Sequence, residues 1–143
     1  MADKAILIPA AVLVVWSMIM LIWAAVDRAN TFSAAKISMG AAPPGARGSD
    51  LKDLLPPGSD WPAHNYNHLM EQPTIFYAAS VILAIGGPTG YDLVLAWAYV
   101  ALRVVHSVYQ AKFNRVKIRA AIFALYSVVM LIFAVRAFLS VLN

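Results

Sequence analysis

Between Lys4 and Asp27 the chain runs through 22 residues without a formal charge, positions 5–26, most of them apolar. At a rise of ~1.5 Å per residue, a helix of that length crosses a hydrocarbon core ~30 Å thick. The run is longer than the apolar stretch of a secretory leader, and Asp3 stands beside Lys4 ahead of it. It therefore reads as a retained membrane helix. Three further spans follow. Residues 63–85 are polar at the start and apolar afterwards, 93–111 are broken by Arg103, and 116–139 are uncharged from Ala120 to Val135. Arg136, near the far end of the last span, can reach the interface by snorkelling. "GGPTGYD" between the second and third spans reads as a tight turn. The expected fold is all-α: one integral membrane domain over residues 1–143, built as a four-helix bundle.

Composition agrees. Charged residues make up 13% of the chain and hydrophobic ones 62%, with a mean hydropathy of +0.71. A soluble domain carries about a quarter charged residues. Cysteine is absent, which excludes a disulfide framework, a thiolate metal site and a cysteine nucleophile. Sulfur chemistry would have to arrive with a substrate. The net charge of +4 sits mostly in loops beside apolar spans, which fits a membrane face and gives no reason to expect nucleic acid.

Those loops set the orientation. The long segment 27–62 contains Arg28, Lys36, Arg47 and Lys52; the connection after span three and the start of span four contain Lys112, Arg115, Lys117 and Arg119. The turn after span two contains no Lys or Arg. With four spans both basic segments share one side, which the positive-inside rule makes cytoplasmic, and both termini face the opposite compartment. "GAAPPGARGSD" and "LLPPGSDWP" mark the long segment as a loop.

The polar residues of the spans carry the functional question. On a helix His64, Asn67, His68 and Glu71 share one face, and so do Arg103, His106 and Gln110. Glu71 lies ~12 Å and Arg103 ~13 Å from the basic side by helical rise, so an ion pair between them is expected. Tyr109 and Arg119 fall in the same third of the membrane. One interhelical ion pair does not account for so much polarity, and the fuller reading is a pocket open to the cytoplasmic side. The i, i+4 histidines with Glu71 and His106 could form a zinc or iron site, although the cation of Arg103 opposes one. A proton-coupled exporter using Glu71 is a third reading. Pro73, two residues after Glu71, kinks or packs span two. Phe76, Tyr77, Trp97, Tyr99, Trp16 and Trp23 read as packing residues or interfacial anchors.

"HLMEQPTIFYA", "RVVHSVYQ" and "VKIRAAIFALYS", in this order on spans two, three and four, resemble the motifs of the MAPEG family, membrane-associated proteins of eicosanoid and glutathione metabolism. The resemblance covers most of the chain from about His64 to Ala137 and points to a bacterial branch, hence a bacterial inner membrane. It implies a homotrimer of four-helix protomers. Glutathione would bind between protomers on the cytoplasmic side, and a lipophilic small molecule would arrive from the bilayer. It also implies that Arg119 is the catalytic, thiol-activating arginine. Arg103 and Arg28 suit the carboxylates of glutathione, and Glu71 suits its amino group. His64, Asn67, His68, His106, Tyr109 and Gln110 complete the substrate-binding set.

The chain departs from the family pattern at several places. His68 stands where the family has Asn, and His64 and Asn67 stand where arginines are frequent. Gln110 replaces a Tyr, while Ala120 and Phe123 occupy positions often held by a hydroxyl residue and a Tyr. The implied activity is a glutathione transferase or peroxidase acting on lipophilic electrophiles or lipid hydroperoxides. The alternative is a non-catalytic membrane scaffold or partner subunit with the same fold.

Overall fold

The computed structural model describes residues 4–38, 40, 44–45, 50 and 55–142. A single 3-10 turn, Lys4–Ile6, leads into α1 (Leu7–Ala34); α2 (Trp61–Leu69), α3 (Pro73–Gly86), α4 (Gly90–Lys112) and α5 (Val116–Ser140) follow. They supply four helical stretches long and apolar enough to cross a membrane, Lys4–Ala34, Trp61–Gly86, Gly90–Lys112 and Val116–Ser140. The expected all-α bundle is the fold. Arg47 and Lys52 of the basic loop lie outside the described residues.

α1 runs past its expected end at Val26 as far as Ala34. The extra turns are held from outside the apolar run: Phe32 is buried, and Arg28 Nη2 donates to Asp60 Oδ1 at 3.0 Å. The helix stops where Lys36 turns left-handed (φ 54°), with Ile37 N–H donating to Phe32 O and Lys36 N–H to Ser33 O. Such a paired closure satisfies the last carbonyls that a helix end leaves open.

Span two is two helices. α2 ends at Leu69, and α3 starts with Pro73 in its first turn. Proline has no N–H to continue the ladder and its ring crowds the preceding turn, so the chain breaks at residues 70–72 where sequence alone left the choice between a kink and simple packing. Gln72 at the break is tied on both sides: its Nε2 donates to Ser127 Oγ at 3.0 Å, and its Oε1 accepts from Tyr99 OH at 3.3 Å. The break is thereby fixed to α4 and α5.

The turn after α3 is set by Gly87 in the left-handed region (φ 87°), and α4 begins at Gly90, earlier than the expected residue 93. This brings Asp92 into the helix. Its Oδ2 accepts from Thr89 N–H at 2.8 Å, the return half of a capping box. Arg136 is drawn to the same carboxylate, with Nε to Oδ1 at 2.7 Å and Nη2 to Oδ2 at 3.1 Å. At this end of the bundle it clamps the end of α5 to the start of α4.

α5 packs against α3 and α4, and α1 packs against α2, α3 and α4. The core between them holds Leu13, Met20, Leu69, Leu83, Met130 and Phe133. Phe76 and Tyr99 stack at its centre with ring centroids 4.6 Å apart, a contact of the kind worth ~1 kcal/mol beyond its area. Outward positions such as Val15, Ile22, Ile85 and Leu131 remain exposed, which suits a lipid-facing surface.

Candidate functional site

The polar ends of α2, α4 and α5 meet around a cavity of about 390 Å³ lined by His64, His68, Glu71, His106, Gln110 and Arg119, with Val116, Ala120 and Phe123 on the α5 side. Its two walls differ in chemistry. One presents imidazoles, an amide and a carboxylate; the other carries Arg119 among the exposed apolar side chains Val116 and Phe123. A volume of this size is in the range of small-molecule sites. Six of the ten residues expected to form a site from sequence are thus brought together.

The other four lie elsewhere. Arg28 is engaged with Asp60 at the end of α1 and does not line the cavity. Asn67 is exposed and does not line the cavity. Tyr109 packs on Phe113, with ring centroids 5.5 Å apart. Arg103 lies behind the cavity wall, fully buried, with Nη1 2.8 Å from His106 Nδ1 and its Cζ 5.4 Å from the centroid of the Tyr126 ring.

The expected Glu71–Arg103 ion pair does not form. Helical periodicity stops at Leu69, so Glu71 belongs to the break rather than to the face of α2. Its side chain is 69% exposed and lies 3.8 Å from His68 Nε2, its only ion-pair partner among the described residues. Arg103 instead reaches one helical turn along α4. Matching depth aligned the two groups along the bundle; the broken helix rotated one of them out of reach.

The Arg103–His106 contact has a chemical consequence. A guanidinium has donors only, so His106 Nδ1 must accept, and the imidazole proton then resides on Nε2. His106 thus faces its surroundings as a donor. Its Nε2 is buried and finds no partner among the described residues, while the side chains of His68 and Gln110 lie beside each other and interact. Buried polar groups in folded proteins are nearly always satisfied, so His106 Nε2 is an uncommon group, set just behind the surface of the cavity that His106 lines. The rings of His68 and His106 are 5.2 Å apart, and Phe123 stacks on His68 at 5.7 Å. No three His, Asp or Glu side chains converge with metal-ligand spacing among the described residues.

Arg119 closes the first turn of α5, its Nη1 2.6 Å from Asn114 Oδ1 in the α4–α5 turn. Its backbone N–H donates to Arg115 O at 3.0 Å, so the helical ladder fixes the root of the side chain.

The family model that matches is the MAPEG family, over residues 6–139. The chain belongs to the MAPEG family. No curated protein and no solved structure matches it significantly. The MAPEG assignment and the four apolar spans together make it an integral membrane protein.

In this MAPEG chain several structural residues escaped the reading of the motifs. Asn65, not Asn67, is the buried asparagine of α2. Its Nδ2 donates to Ser107 Oγ at 2.7 Å, and Trp16 Nε1 donates to the same oxygen at 3.1 Å. The signal was present: Pro62, Asn65 and Leu69 follow the i, i+3, i+7 pattern of a buried stripe. Gln72 and Asp92 had no such signal, because their roles depend on the break in span two and on where α4 begins.

Proposed function

We propose that this protein is a membrane-bound glutathione-dependent transferase or peroxidase acting on lipophilic electrophiles or lipid hydroperoxides. The observation that carries the reading is the two-sided cavity: Arg119 and the α2–α4 polar wall for an anionic peptide thiol, and Val116, Ala120 and Phe123 for a partner arriving from the bilayer. Glutathione supplies the nucleophilic sulfur. The groups present fit it, since Arg119 suits its thiolate and carboxylates, and Glu71 suits its amino group.

A free thiol has a pKa near ~8.5, and a fixed cation beside it favours the thiolate. Arg119 is that cation. In transfer, the sulfur–carbon bond forms as the carbon–leaving-group bond breaks, and the anionic leaving group departs to solvent. In peroxide reduction, the sulfur takes one oxygen as the O–O bond breaks, and the alkoxide takes a proton to leave as the alcohol. A second glutathione thiol then yields the disulfide and water. Arg103 acts from behind the wall by holding His106 as a donor. The assembly that goes with this reading is a homotrimer in a bacterial inner membrane, its basic side cytoplasmic and its termini opposite.

The test is turnover of purified protein with a lipophilic aryl halide and with an alkyl hydroperoxide. Arg119→Ala is expected to lower turnover by roughly 100-fold or more while leaving a folded oligomer. Unchanged turnover in that variant overturns the assignment of Arg119. Absence of turnover in the wild type with every electrophile tried favours the non-catalytic scaffold.

A further inference from the structure

Arg119 is held by a neutral acceptor. Its Nη1 lies 2.6 Å from the side-chain oxygen of Asn114, and among the described residues it makes no ion pair. The guanidinium has donors only, so the atom facing it must be the amide oxygen. Asn114 is itself in an uncommon place. It occupies the left-handed region (φ 49°) in the short connection between α4 and α5, and its N–H closes the end of α4 by donating to Tyr109 O at 3.0 Å. Among residues other than glycine, Asn and Asp adopt that conformation most readily. Backbone and side chain thus perform separate tasks: one ends α4, the other reaches forward five residues to a cation on the cavity wall.

We propose that Asn114 is a positioning residue for Arg119, fixing the guanidinium at the cavity without neutralising it. The inference rests on the reading of Arg119 given under Proposed function. The physical distinction is between an amide and a carboxylate. Asp in the same left-handed position would hold Arg119 equally well but would pair with its charge, leaving less of it for an anion in the cavity. An amide orients through its dipole and leaves the charge in place. The remaining guanidinium donors stay available to a ligand.

The charged and titratable groups around that position come from every side: Asp60, held by Arg28, lines the cavity that Asn114 itself lines, and Tyr109 and Lys112 end α4 beside it. Arg115, Lys117 and Arg119 lie on or beside α5, His106 lines the cavity from α4, and His64, His68 and Glu71 line it from α2 and the break that follows. Glu71 is the one carboxylate lining the cavity that holds Arg119, and an acid at position 114 would set a further negative charge directly against that arginine. Asn114 also lines a neighbouring cavity of about 480 Å³ formed with Asp60, Trp61 and His64. The tether therefore stands where the two spaces adjoin at His64.

The test uses full-length protein in detergent, with the ultraviolet absorbance of bound glutathione thiolate followed as a function of pH, alongside kcat and KM. Asn114→Asp is expected to move the midpoint of thiolate formation upward by about one pH unit. Asn114→Gly keeps the left-handed turn without steric strain but removes the tether. It is expected to lower kcat roughly tenfold with a smaller change in KM, and it carries the test alone if the Asp variant does not fold. A residue that served only the turn would tolerate both changes. A wild-type midpoint and kcat in the variants, with thiolate formation lost in Arg119→Ala, therefore overturns the role of Asn114 and leaves that of Arg119 standing. Thiolate formation retained in Arg119→Ala overturns the reading of Arg119 and this inference with it.

Discussion

Ser107 accepts two hydrogen bonds in the interior, from Asn65 of α2 and Trp16 of α1, and so joins three helices at one oxygen. Ser107→Ala leaves both donors buried without a partner. Orphaned donors in water-soluble proteins cost about 1–3 kcal/mol each, but pairs inside a bilayer average nearer ~0.6 kcal/mol because the unfolded helices find other partners. The expected loss is therefore about 1–2 kcal/mol, with an unchanged response to glutathione; detergent unfolding of the two proteins measures it. The pair Arg103 and Arg119 shows how far residues could be read beforehand. Both were singled out by spacing and motif. Their burial and partners were not legible, because Arg103 turns to His106 on its own helix and Arg119 to an asparagine in a loop. The expected partner Glu71 was lost to a break that depends on one proline. Spacing identified which side chains matter at this end of the bundle, while backbone detail decided which of them meet.

Element geometry was legible where apolar length dominates and opaque where a turn decides. The four spans follow from length alone. The division of span two, the early start of α4 and the extension of α1 each depend on local bonds made to a distant element: Gln72 to Ser127 and Tyr99, Asp92 to Arg136, Arg28 to Asp60. Two expectations belong to this scale. A Cβ added at Gly86 would come within 3.0 Å of Ser140 O, a backbone atom at the end of α5. Gly86→Ala should therefore separate the ends of α3 and α5 and cost about 1–3 kcal/mol by overpacking, measured by thermal unfolding in detergent. At the same end, Asp92→Asn removes the charge that Arg136 grips with two bonds and is expected to lower the melting temperature. The double variant Asp92→Asn with Arg136→Met should recover part of that loss, since no unmatched charge then remains. Failure of the second change to recover stability would count against the clamp.

For the whole molecule, part of the basic set that argued for a cytoplasmic face lies at the cavity end of the bundle. Lys112, Arg115, Lys117 and Arg119 cluster where α4 gives way to α5, and Lys36 closes the cavity-side end of α1. The absence of cysteine makes the orientation directly testable. A single cysteine at Lys36 or Phe113 should react with a membrane-impermeant maleimide only from the cytoplasmic side, and one at Tyr91 only from the opposite side. The reverse pattern would invert the proposed topology. The central claim, a thiol-binding cavity served by Arg119, is tested most directly by the thermal stability of the detergent-purified protein with and without millimolar glutathione. A saturable rise in melting temperature that disappears in Arg119→Ala is the expected result. No rise, or an equal rise in both proteins, would contradict it.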